Sequence, residues 1–364
     1  MSNPAGGALE AEQARITAAF IAAGAETVDP PILQPAETLL DLYGEDIRAR
    51  AYTTRDPLAG ELMLRPDFTV PVAQMHMQHR REPSRYAYSG KVFRVQERGT
   101  ARPSEYDQVG FELFGGGAPG AADAEVFALF SQVLAPLNLR AATGDMGVLL
   151  AAVQGLSTTQ PRKAALMRHV WRPRRFRALL DRFGGRTAVP ATRAALIERA
   201  RAGQAMAGDI PMIGLRGADE ISARIATLVE DADAAPISAG EVDLLDEIVD
   251  LREKAPFALE RLRDIAVDLP AISAAVERIE ARLTALAGFG VDVETLDFEG
   301  SYGRSTMEYY DGFVFGFYAE TRPDLPPVAT GGRYDALTRA LGGADAAPAV
   351  GGVIRPALTS ELGQ

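Results

Sequence analysis

Three stretches of the chain concentrate the residue types that hold a small polar ligand: LRPDFT (Leu64 to Thr69), YSGKVFRVQERGTARPSEYDQVGFELFG (Tyr88 to Gly115) and STMEYYDGFVFGFYAE (Ser305 to Glu320). Each combines carboxylate, aromatic and hydroxyl groups with small residues that permit close approach. With a strand period of two from Tyr106 to Phe114, Asp107, Val109, Phe111 and Leu113 point one way, and Gln108, Gly110 and Glu112 the other. A glycine between two polar groups leaves room for something to sit above the backbone. Arg85 to Gln96 has the same habit, with Gly90, Val92, Arg94 and Gln96 on one side. The pattern fits a polar floor with an arginine at its rim, and equally a solvent-facing antiparallel sheet. Taken as a site, Asp67 would meet an ammonium, an arginine a carboxylate, and Glu112 with a tyrosine a nitrogen-bearing side chain. The expected ligand is a small zwitterion.

Other chemistries fit less well. The chain has no cysteine, so it offers no disulfide framework, thiolate metal site or thiol nucleophile. His76 and His79 stand three apart in an expected helix without a third ligand in reach, and His169 is isolated, which argues against a metal. Gly115, Gly116, Gly117 and Gly120 lack the Lys-Ser/Thr of a phosphate loop and are better read as a turn between strand and helix. No Gly-x-Ser-x-Gly elbow occurs. A net charge of -11 argues against a chain whose main task is to neutralise a nucleic-acid backbone. The basic run from Arg162 to Arg186 leaves two readings, a charged helical surface or a local nucleic-acid patch. Apolar runs break before the roughly 20 residues of a spanning helix. The N-terminus has no secretory pattern, and the expectation is a cytoplasmic protein without membrane contact.

These residues need elements to position them. Helix is expected over Leu9 to Ala23, stopping at Gly24, and over Thr69 to Arg80 and Ala122 to Leu134. Strands are expected as a pair within Tyr52 to Pro66, in the hairpin, and at Leu139 to Asp145, Val291 to Phe298 and Phe313 to Ala319. From about Val148 to Gly290, Ala, Arg, Leu and Glu recur with a period near 3.6. The 364 residues therefore read as an α+β chain in which residues 1–147 and 291–364 complete one sheet and residues 148–290 form a helical insertion.

The same segments, in this order, resemble the catalytic core of the histidyl-tRNA synthetase family, a class II aminoacyl-tRNA synthetase fold with an antiparallel sheet flanked by helices. The hairpin through GFELFG resembles the family's motif 2, LRPDFT its LRPE-x-T segment, MEYYDGFVF its LDYYTGTVFE segment, ATGGRYDAL its AGGRYDGL, and VGGVIR its motif 3. The resemblance implies histidine-binding positions at Asp67, Thr69, Gln108, Glu112, Tyr309 and Tyr310, and possible phosphate- or carboxylate-binding positions at Arg94 and Arg355. The chemistry set departs from the pattern: Gln96 and Ile354 replace glutamates, and Ser305 stands where the family carries the arginine of adenylation, unless a one-residue slip returns Arg304.

The sequence stops nine residues past Arg355 (355 to 364), where synthetases continue into an anticodon-reading domain. The resemblance thus implies the paralogous branch that serves as regulatory subunit of ATP phosphoribosyltransferase. Its expected properties are no catalysis of its own, no cofactor, no metal and no tRNA, with L-histidine as ligand. Its expected partners are the short-form catalytic subunit and a second copy of itself within a hetero-octamer. The alternative is a trimmed synthetase-like enzyme that forms histidyl-adenylate.

Overall fold

The computed structural model describes residues 4–37, 40, 50–79, 81–96, 103–206, 216–304 and 309–363. Ser305, with the rest of 305–308, lies outside the described residues.

Helix α1 (Pro4–Ala22) ends before Gly24, whose φ of +87° suits a glycine stop. Strand β1 (Glu26–Thr27) follows, then a small antiparallel sheet of β2 (Leu33–Pro35), β3 (Thr53–Asp56) and β4 (Gly60–Leu64), with β4 in the middle. Helix α2 (Thr69–His79) leads into the hairpin β5 (Ser84–Phe93) and β6 (Glu105–Phe114). Helix α3 (Pro119–Leu134) and β7 (Arg140–Asp145) come next. A helical stretch then runs through α4 (Met146–Gly155), α5 (Gln160–Arg168), α6 (Pro173–Phe183), α7 (Ala191–Arg201), α8 (Ala218–Asp233) and α9 (Ala239–Asp250). It continues past the short strand β8 (Arg252–Lys254) into α10 (Ala255–Asp268) and α11 (Ser273–Gly288). The chain returns through β9 (Asp297–Glu299), β10 (Phe313–Tyr318), β11 (Ala329–Arg333), α12 (Asp335–Gly342), β12 (Ala349–Ile354) and α13 (Pro356–Leu362).

The main sheet has the order β1-β5-β6-β12-β11-β10-β7-β9-β8. It is antiparallel from β5 to β7, with parallel pairs only toward the edges, β1 with β5 and β7 with β9. This is the expected α+β architecture.

Register gives the sheet two unlike faces. Val109, Phe111 and Leu113 of β6 share one with Val350 and Ile354 of β12, Ala329 of β11 and Phe313, Phe315 and Phe317 of β10. Phe20 of α1 and Phe127 and Phe130 of α3 pack there, with Phe20 and Phe111 ring centres 5.5 Å apart and Phe130 and Phe315 5.4 Å apart. The opposite face carries Gln108, Gly110 and Glu112 beside Gly351 of β12, Gly332 of β11 and Gly316 of β10. A face this poor in Cβ atoms lets side chains and loops lie against the backbone. The site sits there.

Two expectations change. The strand expected over Val291 to Phe298 shrinks to Asp297–Glu299, because the preceding residues close α11: Val291 N–H donates to Leu286, Gly290 has φ +81°, and Asp292 caps a turn at Glu294. The hairpin is not a solvent-facing sheet, since Gln108 to Phe114 are buried on both faces.

Candidate functional site

Glu112 anchors the site. It lies on β6, wholly buried, opposite Tyr86 of β5 and Gly351 of β12. A Cβ at position 351 would stand 1.6 Å from Glu112 Oε2, so glycine there is what lets the carboxyl lie flat across the sheet. Three hydroxyls donate to it: Thr69 Oγ1 at 2.9 Å and Tyr88 OH at 2.9 Å to Oε1, and Tyr334 OH at 2.6 Å to Oε2. Burial raises its pKa to about 7 despite these donors, and nearby Asp67 adds to the rise. The tyrosines answer in kind: burial and then the Glu112 charge push Tyr88 and Tyr334 well up.

The other expected residues gather around this carboxyl. Gln108, on the same face of β6 and 1% exposed, has an Oε1 that is buried without a hydrogen-bond partner. Asp67 Oδ1 accepts the Val70 N–H at 3.3 Å and so caps the start of α2, which also fixes Thr69 in line with Glu112. Tyr310 is raised by burial and then by Glu112, and it also feels Asp67 and Arg94. Tyr309 packs against Tyr310 with ring centres 4.8 Å apart and against Tyr334 at 6.0 Å. Arg94 donates from Nε to the Pro66 carbonyl at 2.7 Å, beside Asp67. The structure therefore brings Asp67, Thr69, Arg94, Gln108, Glu112, Tyr309 and Tyr310 to one place. Arg355 is at the other end of β12, where its Nη1 donates to the Pro327 carbonyl and its charge acts on Tyr318.

Three corrections follow. The space above Gly110 is not vacant, since a Cβ there would meet the Tyr88 ring at 2.2 Å. Tyr88 fills the gap, stacked on Phe68 at 4.3 Å, and turns its hydroxyl to Glu112. Ile354 is fully buried on the apolar face beside Val109, so a side chain at this position points away from the pocket. Arg304 is turned into the helical stretch, where its Nε donates to the Val170 carbonyl at 2.8 Å.

Sequence reasoning missed Tyr88 and Tyr334 as the hydroxyls that hold Glu112. Tyr88 carries a local signal: in the hairpin it stands directly across from Gly110, on the Glu112 face. Tyr334 carries none, because 222 residues separate it from Glu112.

Among the described residues no His, Cys, Asp or Glu cluster could hold a metal ion, and no helix is long and apolar enough to cross a membrane.

The family model for histidyl-tRNA synthetase matches residues 4–207 and 219–356. The ATP phosphoribosyltransferase regulatory subunit of Rhizobium etli is 32% identical over 371 aligned residues, covering 93% of each chain. That of Brucella ovis is 31% identical over 345, covering 90% of each. A crystal structure from Bacillus halodurans, described as an ATP phosphoribosyltransferase regulatory subunit/histidyl-tRNA synthetase, superimposes with a TM-score of 0.70 at 23% identity, over 100% of this chain and 82% of that one. Histidyl-tRNA synthetase from Nostoc gives 0.64 at 17%, over 97% and 71%. At these identities the solved structures speak for the fold alone. The family match and the relatives' sequences show that the chain belongs to the histidyl-tRNA synthetase family, on its branch of ATP phosphoribosyltransferase regulatory subunits.

Proposed function

We propose that the chain is a non-catalytic histidine sensor: free L-histidine binds over Gln108 and Glu112, and its occupancy sets the activity of a separate short-form ATP phosphoribosyltransferase catalytic subunit. The observation that carries this reading is the buried floor of the site, where Gln108 Oε1 has no partner, four residues along the same face of β6 from Glu112. An ammonium on the first and an imidazole on the second would complete both. Asp67 and Arg94 supply opposite charges for the ends of a zwitterion. The relatives' names support the regulatory role, and a buried Arg304 directed at Val170 rather than the pocket fits a chain that binds its ligand without activating it. A ligand that is bound and not consumed acts by favouring one conformation over another. In this reading two copies of the chain pair within a hetero-octamer, no tRNA is held, and no adenylate forms.

The test mixes the chain with the short-form subunit and follows phosphoribosyl-ATP formation during a histidine titration. Little activity is expected from either protein alone, activity from the mixture, and inhibition shifted about 10- to 100-fold to higher histidine in Glu112→Ala, as loss of a charge-assisted contact implies. Failure of the two proteins to associate, or a mixture no more active than its parts, rejects the regulatory reading. A missing shift alone moves the sensor site elsewhere. Histidine-dependent pyrophosphate exchange by the purified chain would restore the adenylate-forming alternative.

A further inference from the structure

Three arginines of the basic run between Arg162 and Arg186 are held in ion pairs within the chain. Arg162 pairs with Asp231 at 2.6 Å, Arg177 with Asp246, and Arg186 with Asp243 and Asp246. Asp231, Asp243 and Asp246 are therefore taken. One guanidinium that reaches into the same region is not matched. Arg304 is 3% exposed, its Cζ stands 4.8 Å from the centre of the Phe176 ring, and its Nη2 is buried with no hydrogen-bond partner. Among the described residues no carboxylate pairs with it. The charge it does feel is another arginine, Arg177, and burial together with that repulsion lowers its pKa to about 10. A guanidinium stripped of water and lacking a counter-charge is a state that folded proteins avoid.

Phe176 belongs to the first turn of α6, and that turn has the same deficit. Its N-cap, Arg172, gives no side-chain cap, and Arg174 and Arg175 put cations where the helix dipole favours an anion. Two further buried nitrogens just before the helix lack partners, the indole Nε1 of Trp171 and Nδ1 of His169. An oxyanion is the kind of group that the guanidinium, the indole N–H and the first-turn amides lack.

We propose that Arg304 and the N-terminus of α6 form a binding site for a small phosphate-bearing anion, with Nη2 of Arg304, the indole N–H of Trp171 and the first-turn amides of α6 as its donors. The site is distinct from the Glu112 pocket and stands whether or not that pocket takes histidine.

Trp171 is the single tryptophan of the chain, so its emission reports on this place alone. The experiment titrates inorganic phosphate, and in a second arm ribose 5-phosphate, into the intact chain at ionic strength held constant with chloride, and reads Trp171 emission and thermal midpoint. A saturable change in emission with a rise in midpoint is expected. Arg304→Met should weaken the response at least ten-fold and, having lost an unmatched buried charge, should be no less stable than wild type in chloride alone. Arg304→Lys keeps the charge without the planar fork and should bind more weakly than wild type; it decides the matter if the methionine variant does not fold. Tighter binding of ribose 5-phosphate than of phosphate assigns a phosphomonoester, and the reverse assigns the free ion. The proposal is overturned by no saturable response, by an unchanged response in either Arg304 variant, or by a response confined to an RNA oligonucleotide arm.

Discussion

Glu112 is a carboxyl kept dry, with three hydroxyls directed at it, and its protonation is tied to both stability and ligand affinity. Its pKa is raised from an ordinary 4.5 to about 7, so between those values the folded chain holds a proton that the unfolded chain has released. The stability tied to that proton is fully present below about pH 4.5 and is lost as pH rises through about 7, an effect on the order of 3 kcal/mol. Urea unfolding at several pH values should therefore show wild type losing stability relative to Glu112→Gln from pH 4.5 to 7.5. A difference that is flat with pH would mean the carboxyl is ionised throughout. If histidine is the ligand, a second dependence follows. Glu112 and an imidazole, with an ordinary pKa of about 6.5, attract most strongly when one titrating proton is shared between them. Below about pH 6.5 both are protonated and the carboxyl no longer offers a negative charge to the imidazolium; above about pH 7 both have released it, and the neutral imidazole N–H donates to the carboxylate without the help of a cation. Calorimetric affinity should peak between those values and fall on both sides. In Glu112→Gln only the imidazole titrates, so the alkaline fall should vanish. A wild-type profile that rises to a plateau would place the imidazole away from Glu112.

At the scale of elements, what could be read from the sequence tracks where local and long-range physics agree. The hairpin, α1, α2, α3, β7 and β10 follow their periodicity to within a few residues at the ends. Strands β11 and β12 were not apparent from composition, because ATGGR and AVGGVI carry glycine pairs where strand propensity asks for branched side chains. The reason appears only in three dimensions. A Cβ at Gly331 would meet Phe315 at 2.3 Å, at Gly332 Tyr310 at 2.8 Å, and at Gly352 Phe130 at 3.0 Å. The candidate site was legible for the same reason in reverse: its polar residues fall on one strand face, and the family resemblance supplied the rest. The two tyrosine hydroxyls on Glu112 come from outside β6, Tyr88 with only its place across from Gly110 as a signal and Tyr334 with none. Glycines in this chain should therefore differ sharply under one substitution. Gly351→Ala sets a methyl against Glu112 and 2.6 Å from the Phe111 carbonyl, which cannot move without opening the sheet. A loss of about 1 to 3 kcal/mol is expected, together with loss of ligand binding. Gly117→Ala meets nothing within 4 Å and bears only the strain of φ +79°, about 1 to 2 kcal/mol, with binding unchanged. Equal binding in the two variants would show that Gly351 does not seat Glu112.

At the scale of the whole molecule, we propose that residues 148–290 are an insertion whose stability is coupled to the core of 1–147 and 291–364 by one buried ionic network. Arg282 of α11 donates to Asp123 of α3 at 3.1 Å and to Asp145 at the end of β7 at 2.8 Å, while Arg333 of β11 reaches Asp123 at 2.7 Å. All four are 5% exposed or less. Asp145 also accepts the Gly147 N–H at 2.8 Å and so caps α4, where the helical stretch begins. The network thus holds the first and last helices of the stretch against the sheet. Tyr334, bonded to Glu112, follows directly after Arg333 in the chain. Removing one member of a buried pair strands its partners' charge, which typically costs about 3 to 5 kcal/mol. Arg282→Met keeps an apolar stem over Phe313, 4.3 Å from the guanidinium in wild type, and removes the charge alone. Arg322→Met, which deletes an exposed cation paired with Asp324 and Glu361, is the control and should leave the unfolding midpoint in place. Two probes follow the experiment: Trp171 emission reports the helical stretch, and far-ultraviolet dichroism reports the whole chain. In wild type the two unfolding curves should coincide, because the network makes stretch and sheet unfold together. In Arg282→Met the Trp171 transition should move to lower urea and separate from the dichroism. A midpoint unchanged from wild type would show that the network does not carry the coupling. Curves that shift but stay together would show that other contacts still join the insertion to the core.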